Sequence, residues 1–248
     1  MNKRGQLTLF IIIAIIIIAL IILVIFFQRG FPGAGLTEGE IATVKGYLDN
    51  CFELKTKEGI IFLGRQGGYY FLDGVESINF LDEQTAYYWK DNQSLIPSTE
   101  TIASELDKYL NEYVNECFLS PEVSEYDFDG TCTATSQVSE TINVNFNCPV
   151  TVRKGTSTTT LEIFTINFDA PVTKLLNVSN QIFEEYEKKP GYVCISCFDE
   201  IATQNNVTIT AAPITSDIFE PEHIWFLITD KNIKFEDKDI KWRFVIEL

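Results

Sequence analysis

The sequence predicts an α+β fold, with helices packed on antiparallel sheet behind a single membrane-spanning helix. Three observations carry this: an unbroken apolar run from Leu7 to Phe27, later segments whose apolar residues recur at helical spacing, and a middle region whose apolar residues alternate. The first run has 21 residues, of which only Thr8 is polar. At about 1.5 Å per residue it makes a helix of roughly 31 Å, the thickness of a bilayer's hydrocarbon. Its isoleucines would favour strand in water, but in lipid only a helix satisfies its own backbone within one segment. Lys3 and Arg4 precede the run without any acid, so the basic end stays in the cytoplasm and the body lies outside. A cleaved secretory signal would want a shorter apolar region and a small-residue cleavage site, and Gln28-Arg29-Gly30 is a poor one. The predicted organisation is therefore a cytoplasmic stub (1–6), the spanning helix (7–27), a Gly/Pro hinge (28–36) and an extracytoplasmic α+β domain (37–248), with a subdivision possible near 120–130.

Lys3-Arg4-Gly5-Gln6 followed at once by the apolar helix resembles the class III signal of archaeal type IV pilin-like precursors. The resemblance covers the first 27 residues. It implies cutting between Gly5 and Gln6 on the cytoplasmic side, with the helix kept as anchor or filament core. An uncut anchor is the other reading.

Of the 248 residues, 19 are basic and 35 acidic; the first 30 hold Lys3, Arg4 and Arg29 and no acid, leaving 16 against 35, a net of −19. Such a body has no electrostatic footprint for nucleic acid, and it is too rich in aromatic and β-branched residues to be disordered. The expected partners are the lipid bilayer and other cell-surface proteins or further copies of the chain.

After the hinge, Thr37-Glu-Gly-Glu40 reads as a capping box that starts a helix. Ile41, Val44, Leu48, Cys51 and Leu54 predict its inward stripe, and Gly64-Arg-Gln-Gly-Gly68 its end, with a strand at Tyr69–Leu72 next. Gly67-Gly68 without a following Gly-Lys-Ser/Thr is a turn rather than a phosphate loop. Residues 73–98 predict short strands, with Tyr87-Tyr-Trp89 packed inside; an exposed glycan platform is the alternative. Pro97-Ser98-Thr99 opens a second helix with Ile102, Leu106, Tyr109, Leu110, Val114 and Cys117 on one stripe. The alternation from Gly130 to Asn147, then Val150–Val152, the turn Arg153-Lys-Gly155 and Leu161–Phe168, predict antiparallel strands with one wet face. A third helix begins near Pro171 and turns Leu175, Leu176, Val178, Ile182, Phe183 and Tyr186 inward. Tyr192–Phe198 is ambiguous between helix and strand. Val207–Thr210 predicts a strand; Ile224–Ile228 and Trp242–Ile246, with a turn at Asp230-Lys-Asn232 between them, predict a closing hairpin.

Six cysteines in an exported domain argue for disulfides. Cys51 and Cys117 each stand near the C-terminal end of a helix, so two packed helices would bring them together. Cys132 and Cys148 flank a strand region and could staple neighbouring strands, while the connectivity as a whole stays open. Cys194-Ile-Ser-Cys197 reads as a structural disulfide, with a thiol–disulfide redox pair as its functional alternative; zinc would need a second pair of suitable spacing. His223 is the sole histidine and has no nucleophile beside it in sequence. No residue pattern proposes catalytic, cofactor-binding or metal-binding chemistry. Asn92, Asn177 and Asn206 stand in Asn-x-Ser/Thr sequons open to glycosylation. The expected function is that of a single-pass cell-surface protein with a structural or interaction ectodomain. The alternatives are a pilin-like filament subunit, or an extracellular thiol–disulfide protein using Cys194 and Cys197.

The Lys/Arg-Gly-Gln anchor, the helix ending in Asp49-Asn-Cys51, Leu63-Gly-Arg-Gln-Gly-Gly-Tyr-Tyr70 and the later helix ending in Cys117 together resemble membrane-anchored proteins of small-genome archaea. That resemblance spans most of the chain. It implies an archaeal cell-surface setting and favours Cys51 and Cys117 as partners. It brings no activity and says nothing about the other four cysteines.

Overall fold

A computed structural model describes residues 17, 18, 20, 36–80, 82–188, 194–214, 222–235 and 238–248. Most of the apolar run, the Gly5–Gln6 bond and residues 28–35 of the hinge lie outside these residues. Ile17, Ile18 and Leu20 are helical and exposed. No helix among the described residues is long and apolar enough to cross a membrane. The described chain is α+β: four helices packed on one mixed and one antiparallel sheet.

Helix α1 (Glu38–Arg65) begins where the sequence places it. The Thr37 hydroxyl accepts from Glu40 N–H (3.2 Å), and the Glu40 carboxylate accepts from Thr37 N–H (2.9 Å). Its buried side differs from the expected stripe. Val44, Leu48, Phe52, Thr56, Ile60 and Leu63 are inside, while Ile41, Cys51 and Leu54 are half-buried. Steps of four residues turn about 400°, so the buried line from 44 to 60 migrates by roughly 160° around the axis. The helix does so because it serves two layers. Phe52 stacks on Phe146 (4.7 Å) and meets Phe164 edge-on (5.0 Å) in the antiparallel sheet. Further along, Gly59 and Gly64 permit close approach: a Cβ on Gly59 would meet Tyr109 at 2.7 Å, and one on Gly64 would lie 2.3 Å from the Lys241 carbonyl oxygen.

The expected strand at 69–72 is absent. The amides of Tyr70 and Phe71 donate to the buried carboxylate of Glu105 (3.0 and 3.3 Å) instead of to a neighbouring strand. Gly67 and Gly68, both at positive φ, make the turn that ends α1. Strands β1 (Ser77–Phe80), β2 (Glu83–Lys90) and β3 (Gln93–Ser94) follow, and Tyr87 and Tyr88 are buried as predicted, with Trp89 half-buried. Ser98 caps helix α2 (Thr99–Tyr113), which continues as a 3-10 segment over Val114–Leu119.

The antiparallel sheet comprises β4 (Asp127–Asp129), β5 (Thr133–Val138), β6 (Thr141–Lys154) and β7 (Ser157–Asp169). The alternating run expected as one strand region is thus two strands joined through the exposed pair Ser139 and Glu140. Strand β7 pairs with β6 along its whole length. Strand β5 pairs with β6 residues 142–147 and β4 with residues 151–153, so β4 and β5 lie end to end on the side of β6 opposite β7.

Helix α3 (Val172–Lys188) matches expectation, and the ambiguous segment opens a fourth helix, α4 (Ile195–Asn205). Strands β8 (Val207–Ile214), β9 (His223–Phe235) and β10 (Lys238–Glu247) complete the mixed sheet, ordered β1-β2-β10-β9-β8, with β2 and β10 parallel. The turn expected at Asp230-Lys-Asn232 is an irregularity inside β9: the register slips there against β10, and the chain reverses only after Phe235. Asp230, 1% exposed, accepts from Asn232 N–H (2.7 Å), Ile233 N–H (2.8 Å) and Lys174 Nζ (2.5 Å), which holds the irregularity in place. One buried apolar cluster takes residues from α1, both sheets, α3 and α4, and Phe168 meets Phe235 edge-on (5.4 Å) where the sheets join.

Candidate functional site

All six cysteines are paired: Cys51 with Cys117, Cys132 with Cys148 and Cys194 with Cys197. The pairs differ in what they do for the fold. The first two close loops of 66 and 16 residues in sequence separation, and Cys117, Cys132 and Cys148 are buried. In the chain-entropy account they stabilise by roughly 4 and 3 kcal/mol. Cys194 and Cys197 are only three positions apart, which limits their bridge to about 2 kcal/mol, and both are half-buried. This third pair adds least to stability and stands within reach of other molecules.

Its position follows from α4. Cys194 is the N-cap, and its Sγ accepts from Cys197 N–H at 3.3 Å, with the Ser196 hydroxyl 3.6 Å away. A sulfur so placed sits at the positive end of a helix and shares the Cys197 amide with the Cys194 carbonyl oxygen (3.1 Å), a setting that stabilises negative charge on it. Phe198 and Ile201 turn inward, and Phe198 meets Phe226 of β9 edge-on (5.4 Å). Asn205 Nδ2 donates to Gln181 Oε1 (2.9 Å), tying α4 to α3.

The two sulfurs face different surroundings. Beside Cys194 lies an apolar crevice lined by Ile182, Tyr186, Phe198, Ile224 and Phe226, with about 10 Å³ of free space, at the lower limit for one water. Beside Cys197 lies an open groove of about 350 Å³ between α3 and α4, lined by Gln181, Glu184, Glu185, Glu200 and Gln204. Lys188 pairs with Glu185 (2.5 Å), and the groove keeps an excess of carboxylates. Ile195, 72% exposed, stands at the same corner.

Other features of the molecule are built to hold it together. Lys154, at the β6–β7 turn, reaches Glu40 (2.7 Å) and Glu125 (2.9 Å). The Lys154 ammonium and the Thr37 amide and hydroxyl hold the Glu40 carboxyl down to about 2 from an ordinary 4.5. On α2 and its 3-10 extension, three short polar side chains four residues apart line the outer edge of β5. Asp107 accepts from Ser136 N–H (2.6 Å), Asn111 from Ala134 N–H (2.8 Å) and Asn115 from Cys132 N–H (2.9 Å). Four helical residues advance about 6 Å and two strand residues about 6.6 Å, so the rungs stay in step. Burial pushes the Asp107 carboxyl upward, against its bonds to Ser136.

Neither the Lys154 bridges nor the ladder on β5 was anticipated, although Asp107, Asn111 and Asn115 at intervals of four, each next to a stripe residue, were visible as a pattern. His223 opens β9 with Nδ1 3.5 Å from the Tyr87 hydroxyl. Asn92, Asn177 and Asn206 are all exposed, and Asn206 Nδ2 donates to Asn232 (2.7 Å). Among the described residues no group of three or more His, Cys, Asp or Glu is arranged to hold a metal. No protein family, curated protein or solved structure matches the chain.

Proposed function

We propose that the chain is a single-pass, N-in protein of the cell surface whose residues 37–248 form a disulfide-stapled interaction module. The contrast between the two edges of the antiparallel sheet carries this reading. The β5 edge is closed by Asp107, Asn111 and Asn115. Among the described residues, strand β7, 13 residues long, pairs only with β6, and no ladder of side chains like that on β5 lies along its other side. An unpaired edge of that length is a template for strand addition. With a net of −19 on the body, the occupant it suits is an extended, cationic segment of a neighbouring envelope protein.

The cap at Thr37 supports the plain anchor over a filament subunit, since α1 has a start of its own rather than continuing an earlier helix. Intact mass decides that point: a retained Met1–Gly5 fits the anchor, and a chain starting at Gln6 moves the reading to the filament. The edge is tested by placing a photo-crosslinking residue at Ile163 on β7 or, as control, at Leu119, which are 67% and 83% exposed. In intact cells the Ile163 variant should give one adduct of discrete mass and the Leu119 variant none. Equal labelling at both sites, or none at either, would overturn the proposal.

A further inference from the structure

We propose that Cys194–Cys197 is a thiol–disulfide exchange site for cationic polypeptide segments, attacked at Cys197 and releasing Cys194. Three observations assign these roles, independently of the strand-edge reading. Cys194 holds the donors that stabilise a leaving sulfur: the Cys197 amide at 3.3 Å, the Ser196 hydroxyl at 3.6 Å and the start of an 11-residue helix. A leaving thiol of lower pKa departs faster. Cys197 has the open space beside it, whereas the crevice at Cys194 has room for no more than about one water. The groove at Cys197 is lined by Glu184, Glu185 and Glu200, and Glu185 pairs with Lys188. Those charges repel an acidic thiol and gather a basic one.

The step balances as a simple exchange. The thiolate of a cysteine on the incoming segment attacks Cys197 Sγ, forming the new sulfur–sulfur bond as the Cys194–Cys197 bond breaks. The electron pair goes to Cys194 Sγ, which leaves as thiolate and takes up a proton from solvent, replacing the one released by the attacking thiol. When a second thiol of the same segment attacks the mixed disulfide, that segment gains a disulfide and loses two electrons and two protons. Cys194 and Cys197 then carry them as two thiols. The other pairs are poor substitutes, since Cys117, Cys132 and Cys148 are buried.

The test uses the purified full-length protein with its disulfides intact. It is mixed with a single-cysteine peptide flanked by lysines or, separately, by glutamates, then acid-quenched, alkylated and mapped by mass spectrometry. The expected product carries the peptide on Cys197 and the alkyl label on Cys194. The lysine peptide should react about tenfold faster at low salt, with the gap closing at high salt. Glu184→Gln with Glu200→Gln should shrink that gap. Attachment at Cys194, equal rates for the two peptides, or reaction at Cys51–Cys117 as fast as at Cys194–Cys197 would each overturn the proposal. So would failure of both peptides to attach.

Discussion

Asn111→Ala probes the ladder that closes the β5 edge. The native side chain accepts from Ala134 N–H at 2.8 Å and donates to the Ala134 carbonyl at 3.3 Å and to the Asp107 carbonyl at 2.7 Å. Truncation leaves the Ala134 amide, in a residue 5% exposed, without its acceptor. An orphaned buried donor costs about 1–3 kcal/mol. Asn111 itself faces solvent, so water softens the loss, and about 1.5 kcal/mol is the expected figure. For a domain of this size that lowers Tm by about 3–6 °C. Urea unfolding with the disulfides intact should show a lower midpoint at unchanged slope, since no additional surface is exposed. Hydrogen exchange at Ala134 should speed up, because the rung that protects this outward-pointing amide is gone. A variant within about 0.5 kcal/mol of the parent, with Ala134 still slow to exchange, would refute the ladder as a stabilising device.

Three further perturbations bear on the same framework. Replacing Cys51 and Cys117 together by Ser should cost about 4 kcal/mol in urea unfolding, and replacing Cys194 and Cys197 together no more than about 2 kcal/mol; a reversed order would contradict the division of labour between the bridges. Gly64→Ala should destabilise by about 1–3 kcal/mol, because the new methyl meets the backbone of β10 rather than a side chain that can move; an unchanged midpoint would show that α1 is free to shift. The folded Glu40 carboxyl, held at about 2, binds its proton less tightly than the unfolded group near 4.5. Its contribution is present above that unfolded value and is lost as pH falls toward about 2. Glu40→Gln should therefore flatten the acid limb of a Tm-against-pH curve, and an unaltered limb would remove the Lys154–Glu40 contact from the account.

Much of this fold is local in origin, which is why it could be read. The Thr37–Glu40 box, Ser98, the hairpin turn at Gly155, which falls just after the expected Arg153 and Lys154 of β6, and the Pro171 start are set by short-range chemistry. The inward stripes of α2 and α3 are regular because each meets a single surface. Helix α1 meets two, so its buried line winds, and a fixed spacing selected Cys51 and Leu54 where Phe52 and Thr56 are inside. The strand expected at Tyr69–Leu72 failed for a long-range reason: Glu105, 35 positions from Tyr70, takes its amide. Asp230-Lys-Asn232 carried a true signal of broken pairing, and only tertiary contact with Lys174 turned it into a slip inside β9 instead of a hairpin end. The three cysteine pairings were legible because packed helices and strand neighbours bring sulfurs together, although Cys51 stands in the middle of α1 and not near its end as expected. The groove at Cys197 was not, since its acids come from α3 and α4 and meet only once these helices pack.

The placement of this module outside the cell is the premise under the strand edge and the exchange site alike. Biotinylation of intact cells with a membrane-impermeant amine reagent tests it directly, because Lys188 and Lys108 are 64% and 50% exposed. Both lysines should label to the same extent before and after the envelope is permeabilised. Labelling that occurs only after permeabilisation would contradict it.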